Sequence, residues 1–195
     1  RFYERKEVKD VMSYLKLILN PGDDVALLRT LNTPPRGIGQ GTRDKVIAAA
    51  GQTNTTCWQA LCALVDSPSS GARMKKSLGA YRDLVEDLRT ASRQLGVDDL
   101  VERIYARSGL WERFEAEGTF ESEGRLENLA ELKNSTMPYK GLPAPTGLLA
   151  FLDRVSLIAE TDKLEDPEAE AEGRVTLMTV HASKGLEFPV VLVVG

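Results

Sequence analysis

The sequence predicts a mainly α-helical protein with a short pair of β-strands near its C-terminal end. Apolar residues recur at helical spacing along most of residues 1–159, and turn residues separate the segments. Two valine-rich runs, residues 175–180 and 190–194, have the composition of strands instead. The second run is apolar throughout, as in a strand buried on both faces of a parallel sheet.

Length and composition fit one or two globular domains, because 42% of the 195 residues are hydrophobic and 28% are charged. Cys57 and Cys62 are expected to be small buried side chains in a reducing cytoplasm, since their spacing is unlike a metal site. No apolar run approaches the ~20 residues of a membrane span, so no membrane partner is expected. The chain opens at Arg1 without Met, which suggests a fragment of a longer protein.

The first predicted helix covers residues 4–19 and ends at Asn20-Pro21-Gly22. Asp23 or Asp24 is expected to cap a second helix that runs through Leu31. These two helices lead directly into the most distinctive turn of the chain.

That turn is Asn32-Thr-Pro-Pro-Arg-Gly-Ile-Gly-Gln-Gly-Thr42. Its two prolines require extended backbone, and Gly37 and Gly39 allow sharp bends, with Ile38 between them as an anchor in the core. Thr42 is expected to cap a helix over residues 43–50.

A glycine turn that leads into a helix presents backbone N–H groups and the positive end of a helix dipole. The neighbouring charges leave an excess of three positive charges: Arg29, Arg36, Arg43 and Lys45 against Asp44. These features favour a phosphate site that does not read base sequence, although an ordinary turn between helices would look the same.

Further helices follow along the chain. They are predicted over residues 56–65, over a long stretch that Gly96 ends, over residues 98–106, after a cap at Ser108, over residues 121–134, and from a cap at Thr146 to residue 159. The basic side of the long helix is interpreted as a solvated face. The aromatic residues Trp111 and Phe114 are interpreted as core. Residues 160–172 hold seven acidic residues and one base, which is typical of a linker.

Between the predicted strands, His181, Lys184 and Glu187 surround Gly185. Ligands collect at the carboxyl ends of strands in open α/β sheets, so a ligand site is one interpretation and a polar loop is the other. The sequence Met178-Thr-Val-His-Ala-Ser-Lys-Gly-Leu-Glu-Phe188 closely resembles motif V of the UvrD/PcrA/Rep group of superfamily 1 DNA helicases. Two other segments resemble the same family. The segment that leads into the accessory domain of that family is similar to Arg1-Phe-Tyr-Glu-Arg-Lys-Glu-Val-Lys-Asp10. The Thr-Pro-x-Arg-Gly-Ile-Gly motif of its 2B domain is similar to Thr33-Pro-Pro-Arg-Gly-Ile-Gly39.

The resemblance implies a domain plan. Residues 1–30 would be the edge of the RecA-like domain 2A with the approach to 2B, and residues 31–159 the helical accessory domain 2B. Residues 160–173 would be an acidic linker, and residues 174–195 the return to domain 2A with the motif V strands.

The resemblance also implies site residues. Glu187 would bond the nucleotide ribose, with Gly185 beside it. Residues that would meet single-stranded DNA, or couple it to the nucleotide, are Thr179, His181 and Lys184. Residues that would meet duplex DNA ahead of the fork are Thr33, Arg36, Gly37, Ile38, Gly39 and Thr42.

The parent protein would be an ATP-dependent helicase that unwinds DNA in the 3′→5′ direction in repair or replication. This sequence contains no Gly-x-x-x-x-Gly-Lys-[Ser/Thr] phosphate loop and no paired acids to hold Mg²⁺ beside one. ATP and Mg²⁺ are therefore expected in the intact parent. The fragment alone is expected to be inactive, with no catalytic residue and no bound cofactor. Single- and double-stranded DNA are the expected partners, with repair proteins or RNA polymerase as candidates in the bacterial cytoplasm or nucleoid.

Two other interpretations stay open from sequence. One is a subunit of a helicase–nuclease of the AddA/RecB type, whose motif V is similar. The other is a stand-alone DNA- or protein-interaction module without a motor.

Overall fold

The computed structural model of the chain describes residues 2–164, 178–179, 183, 187–188 and 190–192. Its α-helices are α1 (Lys6–Leu19), α2 (Asp24–Thr30), α3 (Gln40–Thr53), α4 (Cys57–Asp66), α5 (Ala72–Ala91), α6 (Val97–Ser108), α7 (Leu110–Glu117), α8 (Phe120–Ser135) and α9 (Thr146–Leu164), with short 3-10 helices at Phe2–Glu4 and Met137–Tyr139. No strand occurs among the residues described, and the prediction of a mainly α fold is confirmed.

The predicted strand pair falls largely outside these residues. Of the first run only Met178 and Thr179 are described, and of the second only residues 190–192, all without strand geometry. Helix α9 continues past the predicted start of the acidic linker to Leu164, and residues 165–173 of that linker lie outside the described part. None of the described helices is both long and apolar enough to cross a bilayer.

The chain divides into two compact units, Arg1–Leu157 and Ile158–Gly195. The first unit holds α1 together with the helices that follow it. The assignment of residues 1–30 to a separate core domain stays a prediction.

Local capping explains several helix starts. The Asp23 carboxylate accepts a hydrogen bond of 2.9 Å from the Ala26 N–H, as predicted for α2. Thr56 forms a capping box with Gln59 at the start of α4. Ser108 accepts a bond from the Leu110 N–H at 3.3 Å, although the residue at the N-cap position of α7 is glycine.

The predicted cap at Thr42 is wrong. Helix α3 begins at Gln40, three residues before the predicted start at residue 43, because Gly39 is the extended residue before the first turn. Thr42 lies inside that turn. The helix also runs beyond residue 50 to Thr53, where Asn54 takes a left-handed conformation with φ of 51°.

The first unit has two hydrophobic clusters. The α1/α6 cluster combines side chains of α1, α5, α6, α7, α8 and the start of α9, and its fully buried members include Leu15, Ile104 and Phe151. The α2/α5 cluster combines α2, α3, α4 and α5, and includes Leu27 and Tyr81. Helices α1 and α5 contribute side chains to both clusters, so they join the two halves of the unit. The aromatic residues predicted as core also belong to the α1/α6 cluster: Phe114 is buried, and the half-buried Trp111 stacks on Tyr105.

Candidate nucleic-acid interface

The proline–glycine turn is closed by the side chain of Asn32. Its Oδ1 accepts hydrogen bonds from the backbone N–H groups of Arg36 at 2.8 Å and Ile38 at 3.2 Å. Gly37 between them has φ of +78°, a conformation that strongly favours glycine. Ile38 is 2% exposed and packs in the α2/α5 cluster, which confirms the predicted anchor. The two glycines of the turn are therefore held at the surface by a fixed frame.

The backbone donors of this turn are available to a ligand. Within the described chain, the N–H groups of Gly37 and Gly39 donate no hydrogen bond. Gly39 also gives α3 no side-chain cap, and the first N–H groups of any α-helix lack partners inside the helix. A Cβ added at Gly39 or Gly41 would meet no protein atom within 4 Å. These donors and this open space suit the close approach of an anionic oxygen.

A cleft of about 570 Å³ lies beside the start of α3. Gly39, Gln40 and Arg43 line it from the helix, and Asn32 and Thr33 line it from the turn. The Nε atom of Arg43 is buried and has no acceptor among the described residues. A buried guanidinium donor without a partner points to a missing acceptor such as a phosphate oxygen.

The charges around the turn are distributed differently from the expectation. Arg29 donates to the carboxylate of Asp10 at 2.8 Å, so its charge is compensated inside the protein. Burial raises the pKa of Asp10, against the opposing effect of Arg29. The sequence placed four basic residues around the turn. Of these, Arg43 and Lys45 lie on α3, where they can attract an anion.

Arg36 is directed into the protein. Its Nη1 donates to the carbonyl of Thr30 at 3.0 Å, and its Nη2 donates to the Tyr14 hydroxyl at 2.9 Å and to the carbonyl of Thr33 at 3.2 Å. Burial raises the pKa of Tyr14, which keeps the hydroxyl protonated, and it donates to Thr33 at 2.7 Å. A phosphate contact by Arg36 therefore stays a prediction without support from its geometry.

Two bases on α5 form ion pairs within the protein. Arg82 bonds Asp66 at 3.0 Å and Arg89 bonds Glu86 at 3.0 Å. Both pairs are at the surface, as expected of a solvated face.

The C-terminal candidates are mostly outside the described residues, which excludes His181, Lys184 and Gly185 from any structural statement. Thr179 is exposed, and its carbonyl accepts a bond of 3.1 Å from the Ser183 N–H. Glu187 is exposed as well. No cluster of metal-binding side chains occurs in the part of the chain that the structure describes.

Sequence reasoning missed Asn32, Tyr14 and Tyr81 as supports of the turn, and counted Arg43 only as a charge. Asn32 carried a usable signal, because asparagine commonly bonds backbone N–H groups in turns. The tyrosines carried none, since their contacts with the turn come from distant helices.

Comparison with known proteins identifies the family of this chain. The family model for the UvrD-like helicase C-terminal domain matches residues 1–195. The chain is 36% identical over 197 residues to ATP-dependent DNA helicase PcrA of Bacillus subtilis, covering 100% of this chain and 26% of that protein. The PcrA proteins of Staphylococcus aureus (strain Mu50) and Staphylococcus epidermidis show the same identity and coverage. The chain thus spans about a quarter of the length of these relatives, and it belongs to the family of UvrD-like helicase C-terminal domains.

Proposed function

We propose that this chain is the duplex-binding and regulatory part of an ATP-dependent DNA helicase that unwinds in the 3′→5′ direction. Residues 31–159 are its accessory 2B domain, placed between residues 1–30 and 174–195 of domain 2A. The names of the relatives support a helicase parent. The parent supplies the phosphate loop and the acids for Mg²⁺, and this chain contributes DNA contacts in the bacterial cytoplasm.

The observation that carries the duplex role is the exposed start of α3. Gly37 and Gly39 present unused backbone donors, and Arg43, whose buried Nε has no acceptor among the described residues, lines the adjacent cleft. Such a site binds phosphates and ignores base identity, which is what a helicase needs on arbitrary duplex sequence. Thr33 and Thr42 flank these donors and complete the surface.

The C-terminal segment has a separate proposed role. Glu187 is an exposed carboxylate that can accept hydrogen bonds from ribose hydroxyls, and Gly185 lets the backbone approach the nucleotide. Thr179, His181 and Lys184 meet the single strand and couple it to the nucleotide. The acidic segment 160–173 is one of the two linkers about which the accessory domain rotates.

A salt series on forked DNA tests the duplex site. The full 195-residue chain is titrated onto labelled fork by fluorescence anisotropy between 50 and 200 mM salt, concentrations chosen because phosphate contacts respond strongly over about this range. Arg43→Gln is expected to reduce the slope of log K against log salt by about one, as for one lost phosphate contact. Arg89→Gln, at a surface pair on α5, is the matched control and is expected to leave the slope unchanged.

Gly39→Ala tests the backbone donors in the same assay. The added methyl group meets no protein atom within 4 Å, so a loss of affinity would arise from the DNA side. Gly51→Ala, also in open space on α3, is its control. If Arg43→Gln and Gly39→Ala bind fork as the unaltered chain does, the duplex site lies elsewhere.

A further inference from the structure

The guanidinium of Arg36 is used inside the protein, although Arg36 is adjacent to the glycines of the proposed DNA site. Both of its terminal nitrogens bond protein oxygens: the carbonyls of Thr30 and Thr33 and the hydroxyl of Tyr14. The hydroxyl of Tyr14 in turn donates to Thr33, so arginine, phenol and turn form one closed network.

This network joins four helices. Tyr14 belongs to α1, and Thr30 ends α2. The ring of Tyr81, on α5, lies with its centroid 5.4 Å from the guanidinium carbon. The carbonyl of Ser108, at the C-terminal end of α6, is 3.5 Å from Nη2. The guanidinium therefore sits where the α1/α6 cluster and the α2/α5 cluster meet, since Tyr14 belongs to the first and Tyr81 to the second.

The partners of Arg36 are neutral, which separates it from an ordinary ion pair. A planar, delocalised guanidinium can bond carbonyls and a hydroxyl and contact an aromatic face at the same time. An ammonium group cannot make all of these contacts in the same geometry. Arg36 therefore acts here through the planar fork of donors on its guanidinium. An arginine that binds phosphate instead holds its terminal nitrogens toward the ligand.

The link to the DNA site is short. Arg36 directly precedes Gly37, and its own N–H is fixed to Asn32. Movement of the guanidinium would therefore move the turn that presents Gly37 and Gly39. We infer that Arg36 is a positioning residue, which fixes the 37–39 turn to helices α1, α2, α5 and α6, while the phosphates are bound by backbone donors and Arg43. This inference rests on the proposed duplex role of the turn.

Two variants that keep every charge test the inference on the full chain, with the forked-DNA anisotropy assay. Tyr14→Phe removes the hydroxyl from a side chain that is 0% exposed and cannot reach DNA. Arg36→Lys keeps the cation and removes the fork. Each is expected to weaken binding about three- to tenfold, as for one lost hydrogen bond, with an unchanged salt slope. The double variant Tyr14→Phe/Arg36→Lys is expected to have the same affinity for DNA as the single variant that binds more weakly, because both substitutions remove the same contact.

Tyr139→Phe is the control, because Tyr139 packs on the ring of Phe151 and its hydroxyl bonds nothing in the described residues. Thermal melting confirms that each variant is folded at the assay temperature. Wild-type affinity in both Tyr14→Phe and Arg36→Lys, with or without a lower melting temperature, overturns the inference. So does a salt slope that falls by about one in Arg36→Gln and is restored in Arg36→Lys, since that pattern identifies a direct phosphate contact. A failure of the proposed function looks different: Arg43→Gln and Gly39→Ala then bind as the unaltered chain does.

Discussion

The hydroxyl of Tyr81 lies 2.6 Å from the hydroxyl of Thr30, and both side chains are fully buried. Thr30 also bonds the carbonyl of Ala26 at 2.9 Å, so its proton is committed there and Tyr81 is the donor to Thr30. Burial raises the pKa of Tyr81 far above its ordinary value, which keeps this donor protonated. The pair fixes α5 against the end of α2, from which the proline–glycine turn departs.

This donor assignment predicts unequal costs for two substitutions. Tyr81→Phe removes the short bond to Thr30 and a long one of 3.4 Å to the Leu27 carbonyl, and leaves Thr30 bonded to Ala26. The free energy of unfolding is therefore expected to fall by about 1 kcal/mol. Thr30→Val leaves a buried phenol without that acceptor and is expected to cost about 2 kcal/mol. Urea denaturation measures both, with Tyr139→Phe as a control. A larger cost for Tyr81→Phe than for Thr30→Val would contradict the assignment.

Asp87 gives a prediction for acid. Arg103 and Arg107 bond its two oxygens at 2.7 and 3.1 Å and hold the pKa of the carboxyl below its ordinary 3.8. The ionised form therefore stabilises the fold above pH 3.8, and this contribution is lost as the pH falls through the lowered pKa. Asp87→Asn is expected to cost about 1 kcal/mol at neutral pH, because two hydrogen-bonded pairs are lost at a partly exposed site.

Denaturation of the unaltered chain and Asp87→Asn between neutral pH and pH 3 measures that difference. The difference between the two curves is expected to shrink towards the acidic end. Asp83→Asn is the control, because the Asp83 side chain is 74% exposed. A difference of equal size across the whole pH range would show that the cost is not due to ionisation of Asp87.

The pair of Arg29 and Asp10 is predicted to have the opposite pH dependence. Burial raises the pKa of Asp10 above 3.8, so its contribution to stability falls as the pH rises from 3.8 through the raised pKa. Arg29→Met leaves the buried carboxylate without its bonded cation. It is expected to cost about 2 kcal/mol at neutral pH, less than a fully buried pair because the Arg29 side chain is 34% exposed.

Acidification to pH 5 is expected to recover part of that loss, because Asp10 then gains a proton more readily. Arg89→Met at the surface pair is the control and should cost less than about 0.5 kcal/mol. Adding Asp10→Asn to Arg29→Met should remove the pH dependence. If the loss in Arg29→Met is the same at pH 5 and pH 7, burial of Asp10 is not its cause.

Substitution by alanine should change the free energy of unfolding in opposite directions at Gly37 in the turn and at Gly51 in α3. Gly37 has φ of +78°, so Gly37→Ala is expected to lower the free energy of unfolding by about 1 kcal/mol through backbone strain. Gly51 lies inside α3 with open space around it, so Gly51→Ala is expected to raise it by about 0.5–1 kcal/mol. Thermal denaturation of the two variants checks the sign of each effect, and stabilisation by Gly37→Ala would contradict the geometry of the turn.

Helices were predictable because their signals are local. The first helix was expected over residues 4–19 and occupies Lys6–Leu19, and the cap at Asp23 follows from its own side chain. Thr42 was a misleading signal because a threonine hydroxyl can accept a bond from the N–H two or three residues later, which glycine cannot do. The start of α3 was decided instead by the turn that Asn32 closes ahead of Gly39.

The direction of Arg36 could not be predicted in the same way. Its partners lie 6, 22 and 72 residues away along the chain, at Thr30, Tyr14 and Ser108. Nothing near Arg36 in sequence distinguishes a guanidinium held by these groups from one held out to DNA. The buried Nε of Arg43 likewise depends on packing around the cleft.

The most direct measurement of duplex binding at the turn is an NMR titration of the ¹⁵N-labelled chain with a short blunt duplex. The backbone amide signals of Gly37, Gly39, Gln40 and Gly41 are expected to shift together with the Nε signal of Arg43, while those of residues 118–124, at the acidic α7–α8 connection, stay in place. Duplex-dependent shifts that omit residues 37–43 and occur elsewhere would contradict the assignment of this surface to DNA.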